Sequence, residues 1–212
     1  MKFLGSNISV ANRAIWMSGA GSGPPLYASD DFTEGQNLDR WTETDAVWTY
    51  SGGKANSTGT SLQRLFSKVV LNDTLFPLGS YVRAAWATSV WSVSVGDNYA
   101  GAVTLDFANG NQVNCHVMKN SGGYSYRVLM GGSTVVYESG ISTTTSGITE
   151  IERTGAGTYV CKLDGVTQYT FTEGASSEPV ATQILCHGVG ALITCAWDYV
   201  YIRNPSGEIE IA

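Results

Sequence analysis

The stretch ITEIERTGAGTYVCKLDG, residues 148–165, decides the fold, because it contains two chain reversals between runs of alternating apolar and polar residues. Gly155 and Gly157 can supply the positive φ that a tight reversal requires. The dipeptide Asp164-Gly165 is a second turn signal, and alternation resumes from Val166 to Thr172. The stretch therefore predicts three consecutive antiparallel strands joined by hairpins.

The same alternation extends through most of the chain. It is clearest from Tyr81 to Val95, and an Asn-Gly turn signal joins Asn98–Phe107 to Gln112–Met118. We count roughly twelve or more strands at even spacing, with at most a turn or two of helix near Asn72. No internal repeat is visible, which argues against a propeller or a solenoid. The sequence predicts an all-β, two-sheet antiparallel jelly-roll sandwich.

The composition excludes several classes of partner. Charged residues make up 14% of the chain, below the roughly 25% of an average soluble protein. The net charge is −6 without a dense basic cluster, so nucleic acid is not expected as a partner. No apolar run approaches the length of about 18 residues that a membrane span needs. No secretory apolar region follows Met1–Val10, so no signal peptide is expected.

The chain divides into three parts. Residues 1–29 form an N-terminal arm, whose segment Ser18–Pro25 has the Gly, Ser and Pro content of a linker. Residues 30–204 form the β-domain, and residues 205–212 form a C-terminal tail. Such an arm has little core of its own, so it is expected to pack onto another surface, either its own domain, a sister subunit or a larger assembly. The apolar side chains predicted to bind there are Ile8, Val10, Ile15 and Trp16.

The four cysteines do not form a CxxC motif. Cys115, Cys161, Cys186 and Cys195 each lie in a predicted strand among apolar neighbours, which favours buried free thiols over pairwise disulfides. Two of them precede a histidine, as Cys115-His116 and Cys186-His187, and this duplication suggests a zinc site as an alternative. Neighbouring residues on a strand point to opposite faces, however, so a core cysteine beside a surface histidine is the favoured interpretation.

Three local patterns carry a family resemblance over residues 30–203. Asp31-Phe32 with Leu38-Asp39-Arg40-Trp41 resembles the opening of concanavalin A-like domains, the superfamily of laminin-G domains, legume lectins and glucanases. The hairpin Ile151–Gly165 is similar to their central hairpin, and Trp197–Arg203 is similar to their closing strand. The resemblance implies a concanavalin A-like sandwich.

Catalysis is not expected from this resemblance. The glucanases of the superfamily carry a Glu-x-Asp-x-x-Glu strand, whose alternate carboxylates face one cleft and divide the work of nucleophile and acid. No such spacing occurs here. Glu150 and Glu152 have the right alternation but lie in the hairpin, where the family has ordinary strand residues. We therefore predict a protein that is not an enzyme.

Sugar binding and calcium binding are the two ligand activities that the resemblance implies. Sugar sites stack aromatic rings on sugars and read hydroxyls with amides and carboxylates, although aromatic side chains on central strands also fill cores. No dense acidic loop supplies the six to eight oxygens that Ca²⁺ prefers, and no other cofactor is expected. The candidate glycan ligands are Trp86, Trp91, Asp97, Asn98, Tyr99, Tyr124 and Tyr126, and the candidate calcium ligands are Asp30, Asp31 and Asp198.

The architecture as a whole predicts a structural protein of a bacteriophage virion, such as a capsid decoration protein, head fibre or tail adhesin. The arm would bind other virion proteins in a multi-copy assembly or homo-oligomer formed in the host cytoplasm, and the sandwich would face outward. Cell-surface polysaccharide is a further candidate partner. The alternative is a soluble lectin-like carbohydrate-binding module, and a glycoside hydrolase is a distant third.

Overall fold

The computed structural model describes residues 27–43, 48–92, 98–131, 134–142, 145–174, 177–188, 190 and 192–209. These residues form 15 strands and, within the described ranges, no helix that is long and apolar enough to cross a membrane. The four arm residues predicted to bind an assembly lie outside the described residues, and so does Asp97.

The strands follow one another at short intervals. In chain order they are β1 Trp41–Glu43, β2 Trp48–Tyr50, β3 Ala55–Gly59, β4 Leu62–Ser67, β5 Tyr81–Trp91, β6 Asn98–Phe107, β7 Gln112–Asn120, β8 Gly123–Met130, β9 Thr134–Ile141, β10 Ser146–Gly155, β11 Thr158–Leu163, β12 Val166–Thr172, β13 Pro179–His187, β14 Ile193–Asn204 and β15 Gly207–Glu208.

The strands build two antiparallel sheets that pack face to face. The seven-stranded sheet has the order β1-β4-β13-β6-β7-β8-β9. The eight-stranded sheet has the order β12-β11-β10-β5-β14-β3-β2, with β15 paired to β14. Large buried side chains fill the space between them, among them Trp41, Trp86, Trp197, Tyr126 and Tyr159. The prediction of an all-β, two-sheet jelly-roll sandwich is confirmed.

The hairpins predicted from residues 148–165 are present as β10, β11 and β12. Gly155 pairs with Thr158, and Leu163 pairs with Val166, so each turn contains two residues. In the second turn Asp164 and Gly165 have φ values of 50° and 79°. Positive φ at both central residues is the hairpin turn whose twist matches that of the strands.

A β-bulge at Gly101 sets which side chains of β6 face outward. Ala100 pairs with Val117 and Val103 with Cys115, so three steps along β6 oppose two along β7. Both Ala100 and Val103 lie in the core. The extra residue therefore places Tyr99 and Thr104, on either side of the bulge, on the same outer face of the seven-stranded sheet.

Residues just outside the predicted domain boundaries of 30 and 204 belong to the sandwich. The Ala28 amide donates to the Ile209 carbonyl at 2.7 Å, and Asp30 exchanges two backbone hydrogen bonds of 2.8 Å with Val200. The side chain of Ile209 is buried in the core. The sandwich thus extends at least from residue 28 to residue 209.

Candidate functional site

The outer face of the seven-stranded sheet carries side chains that point away from the core and are nevertheless buried. On β7, Cys115 and Val117 lie in the core, so Asn114, His116 and Met118 between and beside them face outward. These three side chains are only 4%, 1% and 1% exposed. We call this surface, on the side of the seven-stranded sheet away from the core, the outer face.

Registers between the strands place the outward side chains in rows across the sheet. One row joins Phe66, Gln183, Thr104 and Asn114, which are paired in succession from β4 to β7. A second row, beyond that of His116, joins His187, Tyr99, Met118 and Ser125 from β13 to β8. The rows mix hydrogen-bonding groups with apolar surface, which is typical of ligand sites.

An aromatic cluster occupies the middle of the outer face. The ring of Tyr99 stacks on His116, with centroids 4.4 Å apart, and meets His187 edge-on at 5.1 Å. Burial raises the pKa of Tyr99 to about 12, so its hydroxyl stays protonated at neutral pH. These ring contacts fix the orientation of a phenol and two imidazoles.

His116 is a neutral hydrogen-bonding group in this cluster. Burial, followed by the positive charge of Arg127 and by His187, lowers the pKa of His116 to about 3. Its Nδ1 lies 3.0 Å from Asn114 Oδ1. Because an amide oxygen can only accept, Nδ1 carries the proton, and Nε2 is an acceptor for a donor such as a hydroxyl.

Two buried polar atoms of the outer face have no hydrogen-bond partner among the described residues. They are Gln183 Oε1 and Thr104 Oγ1, whose residues are directly paired between β13 and β6. Gln183 is 3% exposed and Thr104 is 0% exposed. A buried polar atom without a partner is costly, and in native proteins it usually marks a place where water or a ligand binds.

Two carboxylates, Glu138 and Asp106, lie on the outer face, and each accepts hydrogen bonds from neighbouring side chains. Arg127 Nε donates to Glu138 Oε2 at 2.9 Å, and Ser125 Oγ donates to the other oxygen of the same carboxylate. On another part of the face, Gln112 donates to Asp106 at 2.6 Å. Burial raises the pKa of Asp106, against the lowering effect of that hydrogen bond. Both carboxylates are thus held in fixed positions by neighbouring donors.

Most of the predicted glycan ligands lie in the core instead. Trp86 is 2% exposed and Tyr126 is 0% exposed, and Asn98 is buried with its amide donating to the Ser92 carbonyl at 2.6 Å. Trp91 is also buried and meets the ring of Tyr124 edge-on at 5.4 Å, so both rings pack toward the interior. These side chains therefore pack between the sheets, and their assignment as glycan ligands stays a prediction.

Tyr99 is the one predicted ligand, among those the structure describes, that lies on the outer face. Sequence reasoning missed its partners Thr104, Asn114, His116 and Gln183. The Cys-His duplication was the available signal, since it indicated that each histidine faces away from a core cysteine. The cysteines lie in the core as predicted, but His116 is 1% exposed, so the prediction of a surface histidine is wrong at that position.

The predicted calcium ligands are occupied by protein donors. Asp30 accepts hydrogen bonds from the Phe32 amide at 2.8 Å and from Trp41 Nε1 at 2.9 Å. Asp31 accepts from Thr33, and Asp198 forms an ion pair with Lys54. Within the described ranges, no three His, Cys, Asp or Glu side chains are grouped to hold a metal ion.

Glu150 and Glu152 lie on the opposite sheet from the cluster. The carboxylate of Glu150 accepts from Arg83 and, at 2.9 Å, from Lys162, and Lys162 also binds Glu152. These contacts form an ion-pair ladder on the outer surface of the eight-stranded sheet. The two glutamates therefore support the sheet surface and do not face the candidate site.

Known structures show the same fold at low sequence identity. A Bacillus licheniformis β-glucanase is 10% identical, with a TM-score of 0.53 over 85% of this chain and 98% of that chain. The CBM2 module of the evolved Dit protein of Lactobacillus casei BL23 phage J-1 is 11% identical, with a TM-score of 0.55 over 84% and 96%.

A third similar structure is the carbohydrate-binding module CBM66 from Bacillus subtilis, which is 11% identical, with a TM-score of 0.50 over 76% of this chain and 92% of that chain. No protein-family model and no curated protein matches the sequence. At these identities the similarities show the fold alone, a two-sheet antiparallel sandwich.

Proposed function

We propose that this protein is a carbohydrate-binding module whose site is the outer face of the seven-stranded sheet. The observation that carries the proposal is the direct pairing of Gln183 and Thr104, two buried outward residues with partnerless polar atoms. A sugar presents a dense array of hydroxyls, each both donor and acceptor, and so can satisfy an amide oxygen and a threonine hydroxyl together.

The neighbours of this pair match the same chemistry. His116 Nε2 can accept a hydrogen bond and the Tyr99 phenol can donate one, while the apolar side chain of Phe66 lies in the same row as the pair and that of Met118 in the row of Tyr99. A sugar ring has polar edges and apolar faces, so a surface that mixes both kinds of group is suited to it. Two of the similar structures are named as carbohydrate-binding modules, which agrees with this use of the fold.

The test is a binding measurement with variants on the two sheets. A broad glycan array run with the full chain identifies a ligand, and calorimetry then measures its affinity. We expect Gln183→Leu and Thr104→Val each to weaken binding about 5- to 150-fold, since each loses a hydrogen bond worth about 1–3 kcal/mol. Tyr199→Ala, on the outer surface of the eight-stranded sheet, is the matched control and should bind as the unmodified protein does.

Two results would contradict the proposal in different ways. If a ligand is found and both outer-face variants bind it normally, the site is wrong. If the folded protein binds nothing across neutral, acidic and amino sugars, the function is wrong. Circular dichroism of each variant checks that loss of binding is not loss of fold.

The place of the module is a separate proposal, that it is displayed on a bacteriophage particle as a decoration protein or adhesin. Its support is the linker-like composition of residues 18–25 and the presence of the same fold in a phage Dit protein. Deleting residues 1–27 should prevent incorporation into particles and leave the isolated sandwich folded and able to bind glycan. Normal incorporation of the truncated chain would contradict a role of the arm in assembly.

A further inference from the structure

The four cysteines form two facing pairs across the interior of the sandwich. Cys115 on β7 belongs to the seven-stranded sheet and Cys161 on β11 to the eight-stranded sheet, and their Sγ atoms are 2.6 Å apart. Nonbonded heavy atoms pack at roughly 3.5–4.0 Å, whereas a disulfide bond is about 2.05 Å long. Both thiols are fully buried, so the two sulfurs are held together by the packing of the sheets.

The second pair takes one member from each sheet in the same way. Cys186 on β13 belongs to the seven-stranded sheet, and its Sγ lies 3.1 Å from Ser57 Oγ across the interior. Ser57 is the direct strand partner of Cys195 on β14 in the eight-stranded sheet, so Cys186 and Cys195 face the same part of the core. All four cysteines of the chain are thus used, and each pair takes one member from each sheet.

We infer that these pairs form two disulfide bonds, Cys115–Cys161 and Cys186–Cys195, which join the sheets covalently when the chain meets a small-molecule disulfide such as oxidised glutathione. The inference rests on the pairing of the thiols and does not depend on the proposed function. In the oxidised protein the two sheets are then joined by covalent bonds as well as by packing.

The chemistry is thiol–disulfide exchange. One cysteine thiolate attacks a sulfur of oxidised glutathione, which breaks the glutathione S–S bond, forms a mixed disulfide and releases one glutathione thiolate. The facing cysteine then attacks the protein sulfur of the mixed disulfide and releases the second glutathione. Formation of each protein disulfide oxidises two cysteine thiols, which together lose two protons and two electrons. The same reaction reduces one molecule of oxidised glutathione to two glutathione thiols.

The folded core slows this exchange. Burial, followed by the contact with Cys115, raises the pKa of the Cys161 thiol, and burial with the contact from Cys186 raises the pKa of Cys195. The thiolate is the attacking species, so the closed sandwich reacts slowly at neutral pH. The bonds should therefore form while the chain folds, when both partners are still accessible.

The experiment refolds the full chain in a glutathione redox buffer and maps its peptides without reduction. We expect linked peptides containing Cys115 with Cys161 and Cys186 with Cys195, no titratable thiol in denaturant, and a mass lower by two hydrogens for each bond. Reduction of the refolded protein should lower its Tm by roughly 10 °C or more, since each closed loop restricts the unfolded chain.

Two single variants separate the pairs. Cys161→Ala should lose only the first link, and Cys195→Ala only the second. The inference is overturned if four thiols remain titratable after oxidative refolding, or if the links join members of different pairs. Where a variant does not fold, the peptide map of the unmodified chain still decides between these outcomes.

Discussion

Replacing Gly101 with alanine should destabilise the protein more than a turn glycine would. Gly101 has a φ of 62°, and a Cβ built there would lie 2.1 Å from Cε2 and Nε1 of Trp86. A positive φ costs a non-glycine residue about 1–2 kcal/mol, and overpacking in a core costs about 1–3 kcal/mol. The Trp86 ring is buried and donates to Thr149 Oγ1 at 3.1 Å, so it cannot move aside freely. We expect a loss of about 2–5 kcal/mol in the free energy of unfolding.

The measurement is urea unfolding of Gly101→Ala beside Gly110→Ala. Gly110 has a φ of 84° with nothing within 4 Å of its built Cβ, so the control carries only the backbone cost of about 1–2 kcal/mol. A Gly101→Ala variant no less stable than Gly110→Ala would refute the reasoning that Trp86 closes over the bulge. A folded Gly101→Ala variant should also bind glycan more weakly, because the bulge sets the direction of Tyr99.

Three further predictions concern stability. Lowering the pH from 7 to 5 should reduce the free energy of unfolding by about 2 kcal/mol through His116, because this histidine takes up a proton near pH 6.5 in the unfolded chain but only near pH 3 in the folded chain. In urea titrations, His116→Gln should make the free energy of unfolding depend less on pH. Thr149→Val should lower the free energy of unfolding by roughly 1–3 kcal/mol, because the buried Trp86 Nε1 loses its hydrogen-bond acceptor. The control Thr170→Val, on the exposed side of β12, should leave the free energy of unfolding nearly unchanged. Arg153→Met should lower the free energy of unfolding by a similar amount, since Arg153 donates a hydrogen bond to the Phe76 carbonyl at 2.7 Å. An unchanged Tm in calorimetry would contradict this prediction.

The sequence predicted the fold well because its signals are local. The turn at Asp164-Gly165 and the alternation around it require only neighbouring residues to be interpreted, and the structure contains those strands. The sidedness of Cys115 and His116 followed in the same way from the period of a strand. The sequence did not show which large aromatic side chains face the core, because Trp86 and Tyr99 both lie in central strands and have similar sequence surroundings.

The candidate site could not be predicted, because it depends on long-range register. Gln183 and Thr104 are distant in sequence and meet only because β13 pairs with β6 at one particular register. Tyr99 faces outward only because one extra residue is inserted at Gly101, and simple alternation through β6 would turn Tyr99 inward. The contacts of Asp30 are a further example, since its carboxylate accepts hydrogen bonds from Trp41 and from the Phe32 amide, which the sequence pattern did not indicate.

Side chains alternate along β7 between the core and the outer face, so substitutions in this strand fall into two groups. Cys115 and Val117 help to fill the core, whereas Asn114 and His116, one peptide bond away, place their polar groups on the outer face. A substitution at the outward positions leaves the packing between the sheets unaltered. Alternate residues of a few strands could therefore change on the outer face while the residues that pack between the sheets stay the same.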